Sequence, residues 1–368
     1  MPPTSRDRSA AVLLSRQALR PTGRSQWVCR VAEAVRYVKE KGCLLHTSVG
    51  MQTWDLLTAL ASMEHIPVRI FVTSSEPNRF VHRRQRILYD FDLSPQATDF
   101  VPVEPVAGCA TKEAVLRIRD EAVIEGADLL VPVSVRHGGH MYTFIAASGK
   151  PVVSDFQVPY QPRGSALAYR LPPDCTWSGA IRSEGQYLYH WTRGVSHAWP
   201  DERQIEFYRD VITSDEWPRG ALATLRRILR TKRIIASGRH MPGGEPTVSF
   251  SALSPDETVP LMRWRSRYAE MSFEPYGLGI DCAWAERRGA RPVRYCSKQS
   301  EAESSESPLW LQQSVGRVTD WRSEKEFRHR GDFSLEGIPA DRMVLLCLHR
   351  DEAAMLEREF GISSIYVR

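Results

Sequence analysis

A chain of 368 residues with 42% hydrophobic and 25% charged side chains is long for one core, so two globular domains are the expectation. No apolar run approaches the roughly 18 residues that a membrane span needs, and Arg6, Arg8, Arg16, Arg20 and Arg24 interrupt any leader-like segment, so a cytoplasmic protein with no membrane partner is expected. The seven cysteines (Cys29, Cys43, Cys109, Cys175, Cys282, Cys296 and Cys347) are dispersed and never form a C-x-x-C pair, which argues against a disulfide framework and a zinc ribbon alike.

In chain order, residues 1–25 read as a weakly ordered basic arm, broken by Pro2, Pro3, Pro21 and Gly23. Apolar Trp27, Val31, Val35 and Val38 recur at helical spacing over 26–41. A buried strand over 43–46 follows, then Thr47-Ser48-Val49-Gly50 and a helix over 51–64 whose Trp54, Leu57, Leu60 and Ala61 share a face. Strands at 68–72, 99–103, 129–133 and 151–154 then alternate with helices near 79–90, 111–125 and 141–147. Strands separated by helices predict an α/β, Rossmann-like parallel sheet over 26–165.

A Pro/Gly-rich connection over 155–186 places the domain boundary, with the second domain over 185–368. Within it, the Ser/Glu-biased stretch 297–308 is too poor in apolar residues to order strongly and reads as a flexible loop.

The net charge of +5 is mild, but arginine clusters at 79/83/84/86, 226/227/230/233 and 287/288/291/294. Guanidinium forks match phosphate oxygens, so DNA is the expected partner. The same faces, with acidic residues interspersed, also fit ordinary solvated helices.

In an open parallel sheet, ligands collect beyond the carboxyl ends of the strands. Two loops there are candidates for holding phosphate or a nucleotide: Thr47, Ser48 and Gly50 ahead of a helix, and Arg136, Gly138 and Gly139 after the 129–133 strand. The segment from Ala127-Asp128-Leu129 through Gly138-Gly139-His140 to Gly149-Lys150-Pro151 resembles Rossmann-like families of the DNA-processing and nucleotide-hydrolase kind. The resemblance implies a phosphate-holding role for the glycine pair. Neither G-x-G-x-x-G nor G-x-x-x-x-G-K-[ST] is present. His137 and His140 lie three apart without a carboxylate or cysteine at usable spacing, so no metal is expected.

The second half carries an ordered series. Tyr187-Leu188-Tyr189-His190-Trp191-Thr192 is followed by the helical 225–229, by Thr247-Val248-Ser249-Phe250-Ser251, and by Trp321-Arg322-Ser323-Glu324-Lys325-Glu326-Phe327-Arg328. In an extended strand, Glu324, Glu326 and Arg328 would share one face. Adjacent carboxylates raise each other's pKa, which suits proton transfer. The series over 185–368 resembles the ADP-ribosyltransferase-like superfamily, with its DNA-targeting DarT-like toxins as the nearest type. The likeness implies NAD as cofactor, with Glu326 as the catalytic carboxylate and Glu324 orienting it, or the reverse. It further implies that His190 and Thr192 grip the dinucleotide beside Ser249 and Ser251. Tyr276 would stack on nicotinamide, and Arg193 and Arg263 would contact pyrophosphate. Arg265, Arg267 and Tyr268 offer a competing assignment for the tyrosine's segment.

Three functions follow as expectations. One is a DNA- or nucleotide-modifying enzyme acting on a nucleobase through this transferase-like site. Another is NAD-independent hydration or hydrolysis of an already modified base on the same fold. The third is a non-catalytic nucleic-acid adaptor of a bacterial defence or DNA-modification system.

Overall fold

The computed structural model describes residues 8–73, 77–104, 111–161, 171–172, 174–178, 186–238, 241–265, 270–296, 308–314 and 321–368. Cys109, Arg267, Tyr268 and the expected loop at 297–307 lie outside them. The chain forms two units, Met1–Gly164 with Ser196–Pro218, and Ser165–Val195 with Arg219–Arg368. The architecture is α/β, with a parallel sheet in the first unit and a mixed sheet in the second. Among the described residues no helix is long and apolar enough to cross a membrane.

The first unit holds five parallel strands: β1 (Ser9–Leu14), β2 (Leu44–Ser48), β3 (Val68–Thr73), β4 (Thr98–Val103) and β5 (Leu129–Ser134), in the order β4-β3-β2-β1-β5. Helices α1 (Gln26–Glu40), α2 (Gln52–Met63), α3 (Pro77–Asp90), α4 (Lys112–Gly126) and α5 (His140–Ala147) alternate with them. Beside β5, the expected strand at 151–154 is a single parallel bridge between Leu130 and Val152.

Two expectations need correction here. The stretch expected to be a loose basic arm contains β1, which lies between β2 and β5 and is buried along its whole length. Strands covered on both faces read as continuous apolar runs, and Ala10-Ala11-Val12-Leu13-Leu14 is one, hidden among arginines. Asp128 anchors its start by accepting from the Ser9 backbone N–H at 2.9 Å and the Ser9 hydroxyl at 2.8 Å. The chain also passes between the two units three times rather than once. Helix α6 (Gln204–Thr213) belongs to the first unit, where it packs on α2 and its Tyr208 hydroxyl donates to the Gln52 carbonyl at 3.3 Å. That cover explains why both sides of α2 are apolar.

The second unit is built on seven strands. They are β6 (Tyr187–Trp191), β7 (Thr247–Ser251), β8 (Gly277–Asp281), β9 (Arg291–Pro292), β10 (Glu326–Arg330), β11 (Met343–Cys347) and β12 (Ser364–Tyr366). Their order is β9-β10-β7-β6-β8-β11-β12, antiparallel throughout except the last pair. Leu188, Val248, Phe250, Leu278, Ile280 and Leu345 join Leu225, Ile228 and Leu229 of helix α7 (Ala221–Thr231) and Leu356 of helix α8 (Arg350–Phe360) in one core. Tyr187, Tyr189, Trp191 and Leu346, one step out of phase on their strands, form a second cluster with Trp177. The sheet therefore has two chemically different faces.

Candidate active site on the second sheet

Pairing of Ser251 with Glu326 and of Ser249 with Arg328 puts all four side chains on the face that carries Tyr189. The Ser249 hydroxyl donates to Glu326 Oε1 at 2.7 Å. Arg328 donates to the same carboxylate through Nε at 2.8 Å and Nη2 at 2.9 Å. Its Nη1 reaches the carbonyls of Trp310 and Gln312, and its Nη2 reaches Gln313 Oε1. A guanidinium with 2% side-chain exposure is thus fully occupied, and Glu326 is fixed in place.

Glu324 does not continue the strand as expected. It closes a short 3-10 turn (Trp321–Glu324), and Lys325 then takes a left-handed φ of 45° before β10 begins. Its carbonyl accepts from the Ser251 hydroxyl at 2.7 Å, and its carboxylate faces Arg265 at 3.5 Å. Burial pushes the Glu324 carboxyl up to about 7; Arg265 opposes the rise, the Glu326 charge adds to it, and Arg263 and Arg328 oppose it. The Tyr295 hydroxyl accepts from the Glu326 backbone N–H at 3.3 Å and is raised chiefly by its own burial. The two glutamates remain electrostatically coupled, although their environments differ.

His190 lies elsewhere. It pairs with Leu278, and Tyr189 pairs with Ser251, so His190 faces the α7 and α8 side of the sheet, opposite to Glu326. Its Nδ1–H donates to the Ser249 carbonyl at 2.9 Å, and its ring lies edge-on to Phe250. Burial lowers its pKa, the Ser249 carbonyl opposes that, and Arg193 lowers it further. The expected joint His190/Glu326 pocket is therefore overturned by a one-residue parity: alternate residues of a strand point to opposite faces.

The other expected dinucleotide contacts are structural bonds. The Thr192 hydroxyl donates to the carbonyls of Ala221 at 3.0 Å and Tyr276 at 3.2 Å. Tyr276 is 3% exposed and its hydroxyl donates to Glu352 Oε1 at 2.9 Å, so its ring belongs to the core and cannot stack on nicotinamide. Arg193 Nη1 donates to the Met271 carbonyl at 3.4 Å. The charge of Arg263 bears on Glu324. The residues expected to clamp NAD do not fit that group as a set, since they divide between two faces and the core.

In the first unit, Thr47 and Ser48 are fully buried in β2. Ser48 donates to the Phe71 carbonyl at 2.7 Å, and Thr47 lies 3.3 Å from the Thr58 hydroxyl, so neither presents a hydroxyl to an anion. Gly50 does lie in the loop before α2, with φ 87°. Arg136, Gly138 and Gly139 form a turn closed by the Gly139 N–H to the Arg136 carbonyl, with Gly138 at φ 66° and Gly139 capping α5. This turn follows β5, next to β1, where the chain's path reverses across the sheet and where open α/β sheets take ligands.

Sequence reasoning missed Tyr295 and Gln313 beside Glu326, and Asp55 and Arg119 in the first unit, and it read Arg83 only as one member of a basic cluster. Asp55 alone was detectable, as the one charged residue of its helix. Several clustered arginines prove to be engaged internally: Arg226 and Arg230 share Glu359, and Arg288 binds the Ser334 carbonyl at 3.0 Å. Among the described residues no group of three or more His, Cys, Asp or Glu side chains is placed to hold a metal ion. No protein-family model, curated protein or solved structure matches the chain.

Proposed function

We propose that the second unit is an acid–base enzyme acting on a nucleobase or nucleotide by hydrolysis or hydration, without NAD. The observation that carries this reading is the contrast between two neighbouring carboxylates. Glu324 has its pKa raised to about 7, chiefly by burial, whereas Glu326 is gripped by Arg328 and Ser249. A pair of carboxyl groups in divergent environments divides the roles of acid and base at neutral pH. Glu324 then holds the mobile proton, and Glu326 orients water or the substrate's polar edge. The nucleobase as substrate rests on the resemblance of the His-x-Thr, Ser and Glu-x-Glu series to base-modifying transferases. DNA as the carrier of that base rests on the arginine content alone.

The test is incubation of the full chain with plain and base-modified oligonucleotides, with and without NAD, followed by nucleoside mass spectrometry. A new or lost nucleoside without NAD, abolished in Glu324→Gln, is the expected result. Nicotinamide release with an ADP-ribose adduct would instead establish the transferase. No product in any arm would leave the adaptor.

A further inference from the structure

Beside Glu326 and Arg328 stand two side chains whose acceptor atoms are occupied and whose donor hydrogens are not. From β9 the chain runs along β10, where the Val293 N–H donates to the Glu326 carbonyl at 2.9 Å, and enters a short strand at Arg294–Cys296. That strand pairs in parallel with Gln312–Ser314, which sets Tyr295 opposite Gln313. Paired residues on neighbouring strands lie about 4.8 Å apart and project from one face. Both side chains are half-buried.

The Tyr295 hydroxyl oxygen accepts from the Glu326 backbone N–H at 3.3 Å, and its own hydrogen has no acceptor among the described residues. Gln313 Oε1 accepts from Arg328 Nη2 at 2.7 Å. A guanidinium can only donate, so this bond fixes which amide atom is the oxygen. The Gln313 NH2 group then points away from Arg328, again with no acceptor among the described residues. Two adjacent donors, each anchored through its acceptor atom, are thus held next to the Glu326 carboxylate. Burial is the main cause that raises the Tyr295 pKa, so the phenol keeps its hydrogen at neutral pH.

We infer that Tyr295 and Gln313 form an oxyanion hole, and that this site hydrolyses an amide or acyl carbonyl on a modified nucleobase. The inference rests on the acid–base reading of Glu324 and Glu326 and narrows its substrate class. Donors fixed in advance stabilise an oxygen that gains charge in the transition state. Cleavage of a glycosidic bond, which builds positive charge on the sugar, gives such donors no comparable task. Water bonds to the carbonyl carbon and yields a proton to Glu326, while the C=O π pair moves onto the oxygen held by Tyr295 and Gln313. When that pair returns, the C–N bond breaks and the leaving nitrogen takes the proton of Glu324. The products are a carboxylic acid and an amine, and the proton on Glu326 returns to Glu324 through solvent.

The full chain is incubated with oligonucleotides carrying an N-acetylated cytosine, a dihydrouracil or an N-methylated adenine, and the nucleosides are read by mass spectrometry. The first two present a carbonyl on an acyl group or a ring amide; the third has none and can react only by losing methylamine. Turnover of a carbonyl substrate is expected, with kcat lower by about 10²–10³ in Tyr295→Phe and in Gln313→Glu and KM little changed. Gln313→Glu keeps an oxygen for Arg328 while replacing the donor with an anion, so its melting temperature should hold as its rate collapses. A Gln313 that served only to hold Arg328 would lose no rate in that variant. Turnover of the methylated adenine alone, or kcat unchanged in either variant, overturns the oxyanion hole and leaves the acid–base site standing. No turnover of any of the three overturns the carbonyl substrate class, whereas the reading of Glu324 falls only if plain and other base-modified oligonucleotides are also left unchanged.

Discussion

Arg328 and Glu326, two residues apart on one strand, are joined by a fork of two hydrogen bonds at 2.8 and 2.9 Å, and both side chains are nearly withdrawn from solvent. Neighbouring residues i and i+2 share a face of a strand, so the pairing is local in sequence. Its remaining partners, the Trp310 and Gln312 carbonyls and Gln313 Oε1, come from a distant segment. The guanidinium therefore tethers the 308–314 segment to the sheet and aligns Glu326 at the same time.

Arg328→Met is accordingly expected to destabilise the protein by roughly 3–5 kcal/mol, the cost of leaving a buried carboxylate without its counter-ion. Arg328→Lys should restore little, because a single ammonium cannot serve both glutamate oxygens and the two carbonyls. Urea unfolding followed by tryptophan fluorescence measures both. A loss under 1 kcal/mol in Arg328→Met would sink this account of the pair.

Gly277 and Gly279 let β8 lie flat between its neighbours. A Cβ on Gly277 would come within 2.7 Å of the His190 backbone carbonyl. One on Gly279 would meet the Val344 Cγ1 at 2.6 Å and the Tyr189 ring at 2.7 Å. Side chains can turn aside and a paired backbone cannot. Gly279→Ala should cost about 1–3 kcal/mol by overpacking, and Gly277→Ala more. Thermal unfolding ranks the two, and the reverse ranking would contradict the register of β8 against β6.

Much of the first unit was legible because β2 to β5 and α1 to α5 announce themselves by period and breaker residues. β1 was not, since six buried residues between arginines carry no alternation to read. In the second unit, where the pairing of the Ser249 strand with the Glu326 strand was not foreseen, the extended character of both segments followed from their motifs. The placement of His190 did not, because which face a residue takes depends on the register between strands distant in sequence. Glu324 escaped for a different reason: the left-handed Lys325 breaks the alternation one residue before β10, and lysine gives no warning of that conformation.

The raised Glu324 carboxyl has a pH signature. Protonation is favoured in the fold, so its contribution to stability is complete below the ordinary 4.5 and is lost as pH rises through about 7. Any rate that needs the proton on Glu324 should fall over the same upper range. Arg265→Met removes an opposing positive charge and should move that limb to higher pH. Glu326→Gln removes the neighbouring negative charge and should move it lower. Initial rates across pH 5–9, roughly the span of the titration, measure this; a limb that stays put in both variants would exclude Glu324 as the acid.

His46 should produce the opposite trend in the stability of the first unit. It sits in β2 with no exposed surface, its ring packs against Phe71, and neither ring nitrogen is in hydrogen-bond geometry, although the Val123 backbone lies near the ring. Burial lowers its pKa from 6.5 to about 4; Arg69 and Lys150 push the same way, while Asp128 and the Val123 backbone oppose. A histidine held neutral in the fold must charge on unfolding in acid, so stability is full above 6.5 and is lost as pH falls toward 4. The loss by pH 4 from this residue is roughly 3 kcal/mol, at about 1.4 kcal/mol per pKa unit. His46→Leu removes both ring nitrogens and the titration, so it should be near neutral at pH 7 and should flatten the acid limb. Urea midpoints of the two proteins at pH 7 and pH 5 decide it, and a gap that does not widen at the lower pH would show that His46 is not the group lost in acid.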